Sequence, residues 1–328
     1  MGVRKTESRI PANFKPDDLG QAVVAADGRC VLIAFVTAPI VVNRENVYVV
    51  FITDTALASS VKLFEWSFTE DPGTSTIKTT DFGQIAYIPT AEGYLNLTVR
   101  MLDAGSSEQA SLSLTQQVGT LNATLEAMIA DAVNKPGPGI GNTDVWRELV
   151  NDHNPYYLDV TLKTPETGEG FKKFLFSKIY DEILEQKSDK RYYQLDQVAT
   201  SLNTEETDFI SAIAPGLGVA GVRLSLVAMI LPPMSIPFTE LPEPNAKNAV
   251  FDEQLRQKLA TINESDRIDL FNLVRFPKSN IIVCGKLLEA LRDKFFSGVN
   301  FDDILTKMSG KMGDWIILNY NKGPLHRN

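Results

Sequence analysis

The stretch Val61-Lys-Leu-Phe-Glu-Trp-Ser-Phe68 alternates strictly, with Phe64, Trp66 and Phe68 on one side and Leu63, Glu65 and Ser67 on the other. A period of two marks a strand with one buried face and one wet face. Asp71-Pro-Gly73 follows and supplies the residue types of a turn. Upstream, Val31–Val36 and Val47–Ile52 are unbroken apolar runs rich in β-branched residues, the composition of strands. Downstream, Leu95, Leu97, Val99 and Met101 alternate with Asn96, Thr98 and Arg100. Asp103-Ala-Gly105 turns the chain, and Ala110, Leu112 and Leu114 then alternate with Ser111, Ser113 and Thr115. The last two runs predict a hairpin with one dry face. Short strands separated by turn signals at this spacing predict a seven-strand-type β-sandwich from about Ala22 to Val118.

The same residues resemble a family. Phe64-Glu-Trp66-Ser-Phe68 is similar to the aromatic Tyr-x-Trp-x-Phe strand of PKD-type immunoglobulin-like sandwiches. Tyr87, and then Gly93-Tyr-Leu-Asn-Leu-Thr-Val99, resemble the family's later Tyr and Gly-x-Tyr-x-Val-x-Leu. The chain departs where Thr69-Glu-Asp-Pro-Gly73 replaces the family's Gly-Asp-Gly turn, and where Leu95 stands in place of Tyr. The resemblance implies an Ig/PKD-like spacer or adhesive module and no catalysis, since a fold does not by itself carry a function.

After Val118 the apolar period lengthens to that of a helix, with Leu121, Leu125, Met128, Ile129, Ala132 and Val133 on one face. A Gly/Pro loop at 135–141 ends it, and Phe171, Phe174, Leu175, Ile179 and Ile183 mark a second amphipathic helix. Further helices are predicted at Tyr192–Leu202, Glu205–Ile213, Leu217–Leu231, Phe251–Ile262, Asp266–Val274 and Leu287–Phe296, with short strands at Ile281–Cys284 and Trp315–Leu318. A Pro-rich strap covers 232–244. The expected organisation is therefore multi-domain α and β. It comprises an extended arm at 1–20, an Ig/PKD-like β-sandwich at 21–118, a helical domain at 119–242, and a helical or mixed subdomain at 243–328. The region after the sandwich is expected to be mainly α-helical, with a few short strands.

Composition narrows the function. With 328 residues, 44% of them hydrophobic, the chain has the apolar mass for roughly two domains of ~100–200 residues. A net charge of −9 argues against nucleic acid as a main partner, which would need a basic face. Only Cys30 and Cys284 occur, beside His153 and His326, too few for a disulfide framework or a Cys/His zinc site. The longest apolar run, Leu217–Leu231, is about fifteen residues and carries Arg223. A membrane span needs ~20, so none is expected. The N-terminus lacks an apolar signal core, and synthesis in the cytoplasm is expected, with release inside a particle as an extension of that reading.

Two segments hold residues that could do chemistry. Gly216-Leu-Gly-Val-Ala-Gly221 matches the G-x-G-x-x-G dinucleotide pattern, in which glycines let backbone approach a pyrophosphate. The pattern needs a strand before it, whereas Thr204–Ala214 reads as helix. A close-packed helix junction is the better account, and no cofactor or metal is expected. In Trp146-Arg-Glu148-Leu-Val-Asn-Asp152-His153, Glu148 and Asp152 stand four apart on one helical face, as a carboxylate pair for acid–base work would, with His153 beside them. A solvated acidic face is the simpler reading of the pair. No serine elbow or cysteine nucleophile accompanies His153.

The expected function is that of a non-enzymatic binding or structural protein, docking to a protein partner through its helical region or its N-terminal arm, where Arg4, Lys5, Arg9 and Lys15 gather positive charge. Immunoglobulin-like domains of this kind extend the expectation to a component or cargo of a phage-tail-like contractile injection particle. The alternative is an effector or cell-wall-active hydrolase that uses the sandwich for targeting and Glu148 or a neighbour as acid.

Overall fold

The computed structural model describes residues 10–11, 14–36, 39–120 and 263–306, together with positions 123, 171, 175, 218, 220–222 and 227. The chain divides into two compact units. The first comprises Met1–Asn134, Asn142–Val160 and Phe276–Lys278; the second comprises Lys135–Gly141, Thr161–Arg275 and Ser279–Asn328.

The described part of the first unit is built from nine strands: β1 (Gln21–Val24), β2 (Cys30–Ala34), β3 (Ile40–Val41), β4 (Asn46–Ile52), β5 (Leu63–Asp71), β6 (Ser75–Thr80), β7 (Gln84–Tyr87), β8 (Gly93–Leu102) and β9 (Glu108–Gly119). Two short helices, α1 (Pro16–Leu19) and α2 (Thr55–Ser60), accompany them. The strands form a four-stranded sheet in the order β1-β2-β4-β7 and a five-stranded sheet in the order β3-β9-β8-β5-β6. Every pairing is antiparallel except β3 with β9, which is parallel.

The apolar periods of the strands follow from what covers each sheet. In β5, Phe64, Trp66 and Phe68 are buried while Glu65, Ser67 and Thr69 are only partly so. The five-stranded sheet thus has one dry face, and its strands alternate. The strands β2 and β4 instead read as continuous apolar runs because the four-stranded sheet is covered on both sides. On one side Tyr48 meets Phe68, with ring centroids 5.8 Å apart, across the space between the sheets. On the other, Val31, Ile33, Val49 and Phe51 join Leu19 and Phe276 in one buried cluster, with Ile10 and Phe14 packed against it. Leu19 belongs to a segment that reads as an extended arm, yet it is fully buried at the end of α1.

The helices α3 (Glu264–Arg275) and α5 (Phe301–Thr306) belong to the second unit, as does α4 (Pro277–Phe295) apart from its first two residues. The last carbonyls of α3 lack intrahelical donors. Ser279 Oγ donates to the Leu273 carbonyl at 2.8 Å, and Asn280 Nδ2 donates to the Val274 carbonyl at 3.0 Å.

This architecture corrects the expected fold class. A seven-strand Ig/PKD-like sandwich leading into a mainly helical region is not what the described residues show. They are strand-rich, with nine strands in two sheets, and their longer helices come only late, from Glu264 onward. The extra strands β1, β3 and β6 are short or mostly polar and carry no apolar period of their own. Ser75-Thr-Ile-Lys-Thr-Thr80 becomes a strand because β5 offers it a ladder from Phe64↔Thr80 to Thr69↔Ser75. Ile281–Cys284 is likewise not a strand but lies inside α4. Its β-branched residues are outweighed by burial at helical spacing, since Ile281, Cys284, Leu288 and Leu291 are all enclosed. The helices predicted between 119 and 262, the loop at 135–141, the strap at 232–244 and the strand at Trp315–Leu318 lie outside the described residues, apart from isolated positions.

Candidate functional site

Among the described residues of the first unit, the most concentrated chemistry is a buried carboxylate. Glu70 continues the dry face of β5 after Phe64, Trp66 and Phe68, and only 3% of it is exposed. Its Oε1 accepts from the Tyr87 hydroxyl at 2.7 Å. Its Oε2 accepts from Ala91 N at 2.7 Å and Thr90 Oγ1 at 3.0 Å, while Thr90 N reaches both oxygens at 3.0 Å. Burial pushes the carboxyl pKa up, but the donors from Tyr87, Thr90 and Ala91 together outweigh it and hold the group below its ordinary value. Burial first, and then the bond to Glu70, push the Tyr87 phenol up to about 12. The Tyr87 ring stacks on Phe68 at 4.0 Å, and Lys78 Nζ lies 5.5 Å from its centroid. Gly93 closes the knot: its φ of +131° and its approach to the Asp71 carbonyl leave no room for a Cβ. A carboxylate held ionised, with its oxygens taken by protein donors, is a poor proton acceptor. The knot ties the β5 end to the 90–93 loop rather than doing chemistry.

A second polar cluster bridges the sheets. Gln116 Oε1 accepts from Asn46 Nδ2 at 2.9 Å and from the Tyr48 hydroxyl at 2.8 Å. Its Nε2 donates to Gln21 Oε1 at 2.9 Å and to the Val36 carbonyl at 2.8 Å. Desolvation raises the Tyr48 pKa, so its hydroxyl stays protonated as a donor. This cluster too is structural.

The wet face of the five-stranded sheet is different, because its groups point outward. Cross-strand register places it in rows: Ile77, Ser67, Thr98 and Ser113 in one, and Ser75, Thr69, Asn96 and Thr115 in the next. Hydroxyls and amides are joined across strands: Thr98 Oγ1 to Ser113 Oγ at 2.9 Å, Thr115 Oγ1 to Asn96 Oδ1 at 2.7 Å, and Thr69 Oγ1 to Ser75 Oγ at 3.1 Å. At the far end Arg100 bridges Glu65 and Glu108, at 2.8 and 2.7 Å. Two large apolar side chains stand on this polar face, Ile77 at 66% exposure and Tyr94 at 55%. The alternation of β5, β8 and β9 makes the face legible in the sequence. Ile77 is not, because β6 has no period that identifies it as a strand.

Of the residues singled out in the sequence, Glu148, Asp152 and His153 lie outside the described residues. The glycine motif is partly described, at Gly218, Ala220 and Gly221. Gly218 has φ +70°, and a Cβ there would come within 2.6 Å of the Val274 carbonyl and would also strike Asn280. Asn280 Oδ1 accepts from Ala220 N at 2.9 Å. The close approach that glycine permits is thus made by the end of α3 and by Asn280. Glu70 was missed, although its signal is present: it is a charged residue at a dry position of an alternating strand. Cys30 and Cys284 are both buried, and neither is in a disulfide. No helix among the described residues is long and apolar enough to cross a membrane.

No family model matches the chain, and no curated protein is similar to it. Among solved structures, a family 76 glycoside hydrolase from a bovine Bacteroides thetaiotaomicron strain aligns over 54% of this chain and 38% of its own length, at 14% identity and a TM-score of 0.22. At that TM-score the alignment does not establish a common fold.

Proposed function

We propose that this chain is a non-enzymatic binding or structural protein, and that the wet face of its five-stranded sheet is the surface that meets a folded protein partner. The observation that carries the reading is the exposure of Ile77 and Tyr94 on a face otherwise built of hydroxyls and amides joined across strands and of the ion pairs of Arg100 with Glu65 and Glu108. Held side chains lose little entropy on binding, and an exposed aromatic on a polar sheet is the usual form of an interface anchor. The net charge of −9 favours a partner with a neutral or basic surface. In its narrower form the protein is a component or cargo of a contractile injection particle, and then it co-sediments with intact particles.

Affinity capture from the producing organism, quantified against an Ile77→Ser/Tyr94→Ala variant of equal melting temperature, tests the surface. Loss of two such anchors is expected to weaken capture at least tenfold, which corresponds to ~1.4 kcal/mol. Glu148→Gln and Asp152→Asn are expected to leave capture unchanged. Undiminished capture by the double variant would remove the surface. Turnover of peptidoglycan or chitin oligomers that collapses a hundredfold in either carboxylate variant would replace the binding role with hydrolysis.

A further inference from the structure

A strand with an unpaired flank is a template for another strand, and folded proteins usually guard such flanks with short length, proline, lysine or inward-pointing charge. Four edges of the first unit are guarded. The strands β1 and β7 have four residues each, and β3 has two. The six-residue β6 carries Lys78 opposite Trp66, on the dry side of the sheet, where its ammonium lies over the Tyr87 ring. Among the described residues, the flank of β9 away from β8 has no such guard along most of its length. This strand has twelve residues, with no proline, lysine or arginine. Its partner on that side, β3, reaches only Val118 and Gly119.

The backbone of β9 is aimed for use along this flank. The Gly119 carbonyl accepts from Val42 N at 2.9 Å, so the backbone groups of Gly119 point to the β3 side. The register with β8 runs unbroken from Gly93↔Val118 to Met101↔Ala110. Backbone direction alternates with each residue of an antiparallel strand. The N–H and C=O of Ser111, Ser113 and Thr115 therefore point to the same open side.

We propose that this flank pairs antiparallel with the same strand of a second copy of the chain, with Ser113 facing its counterpart across a two-fold axis. The sequence names the occupant, because Ser111-Leu-Ser-Leu-Thr115 is chemically palindromic about Ser113. In that register Ser113 meets Ser113 and Ser111 meets Thr115 on the wet face, while Leu112 meets Leu114 on the dry face. Hydroxyl opposite hydroxyl and leucine opposite leucine are favourable cross-strand pairs. The two five-stranded sheets join edge to edge through β9 into one continuous sheet. Isologous pairing closes after two copies, so it consumes the open flank without propagating into a fibre. This edge is distinct from the Ile77 and Tyr94 surface, and the pairing stands or falls separately from the function proposed above.

Sedimentation velocity of the full chain from about 1 to 500 µM reads the association over the range expected of a small interface. Ser113 is exposed, so Ser113→Lys keeps the fold while setting two ammonium groups opposite each other. Ser113→Pro removes an N–H that faces only the open flank. The wild type is expected to dimerise reversibly, and each variant to raise the dissociation constant at least tenfold. Should the proline variant misfold, the lysine variant decides, with an unchanged melting temperature as its control. Thr79→Lys, on the guarded β6 edge, is expected to dimerise as the wild type does. A wild type that stays monomeric throughout, or a dimer undiminished by Ser113→Lys, overturns the proposal.

Discussion

Replacing Glu70 by Gln exchanges a buried carboxylate for an amide of the same shape. Every donor around it then faces a choice. If the amide nitrogen takes the Oε2 position, it confronts Ala91 N, 2.7 Å from that site, and two donors oppose each other. The amide therefore turns its oxygen toward Ala91 and Thr90, leaving its nitrogen beside the Tyr87 hydroxyl, which rotates to accept. The bond from Thr90 N to the Oε1 position is lost, because that position now holds a donor, and the remaining bonds lose their ionic part. A charge-assisted bond contributes ~1.5–3 kcal/mol and a neutral one ~0.5–1.5, so three weakened bonds cost roughly 3 kcal/mol. The cheaper burial of a neutral group returns part of this, and a net loss of about 2 kcal/mol is expected. Urea titration of the full chain in a Trp146→Phe/Trp315→Phe background, in which fluorescence reports Trp66 alone, measures it. The pH dependence has a definite sign. The folded pKa of Glu70 lies below the ordinary 4.5, so its stabilisation is complete above that pH and is lost as pH falls through the folded value. The gap between wild type and Glu70→Gln is widest at neutral pH and closes in acid. At the other end, Tyr87 is raised from 10 to about 12, so its contribution is present below pH 10 and lost as pH rises toward 12. Glu70→Gln flattens that alkaline loss as well. A variant within about 0.5 kcal/mol of wild type at neutral pH, or a gap that stays constant into acid, would refute the ionised knot.

Two further outcomes follow from burial and backbone geometry. Trp66 is fully buried and donates from Nε1 to Thr80 Oγ1 at 2.8 Å, so Trp66→Ala costs ~3–5 kcal/mol, read as lost hydrogen-exchange protection in β5 and β8. Gly28 and Gly218 have nearly the same φ, +71° and +70°, but nothing lies within 4 Å of a Cβ at Gly28 while Val274 and Asn280 crowd Gly218. Alanine at Gly28 therefore costs only the ~1 kcal/mol of a left-handed residue. Alanine at Gly218 costs several times more and loosens α3 and α4 in hydrogen exchange; equal losses at the two sites would show that packing contributes nothing.

What the sequence determined by itself was the set of long strands and the faces they bury. The alternation Phe64, Trp66, Phe68 and its counterparts in β8 and β9 are local properties, since successive side chains of a strand must point to opposite sides. The unbroken runs of β2 and β4 likewise announced strands, though not that they are covered on both sides, with Leu19 and Phe276 in the second cover. Tertiary structure alone decided the rest. Ser75–Thr80 has no apolar period and is a strand because the β5 edge needed a partner. Ile281–Cys284 favours a strand locally and is helical because its neighbours at helical spacing are enclosed. Glu70 is tolerable on a dry face only because Tyr87, Thr90 and Ala91, twenty or so residues away, bring donors to it. Periodicity is written in neighbouring residues, whereas hydrogen-bond partners and covering surfaces come from distant ones, and only the folded chain brings those together.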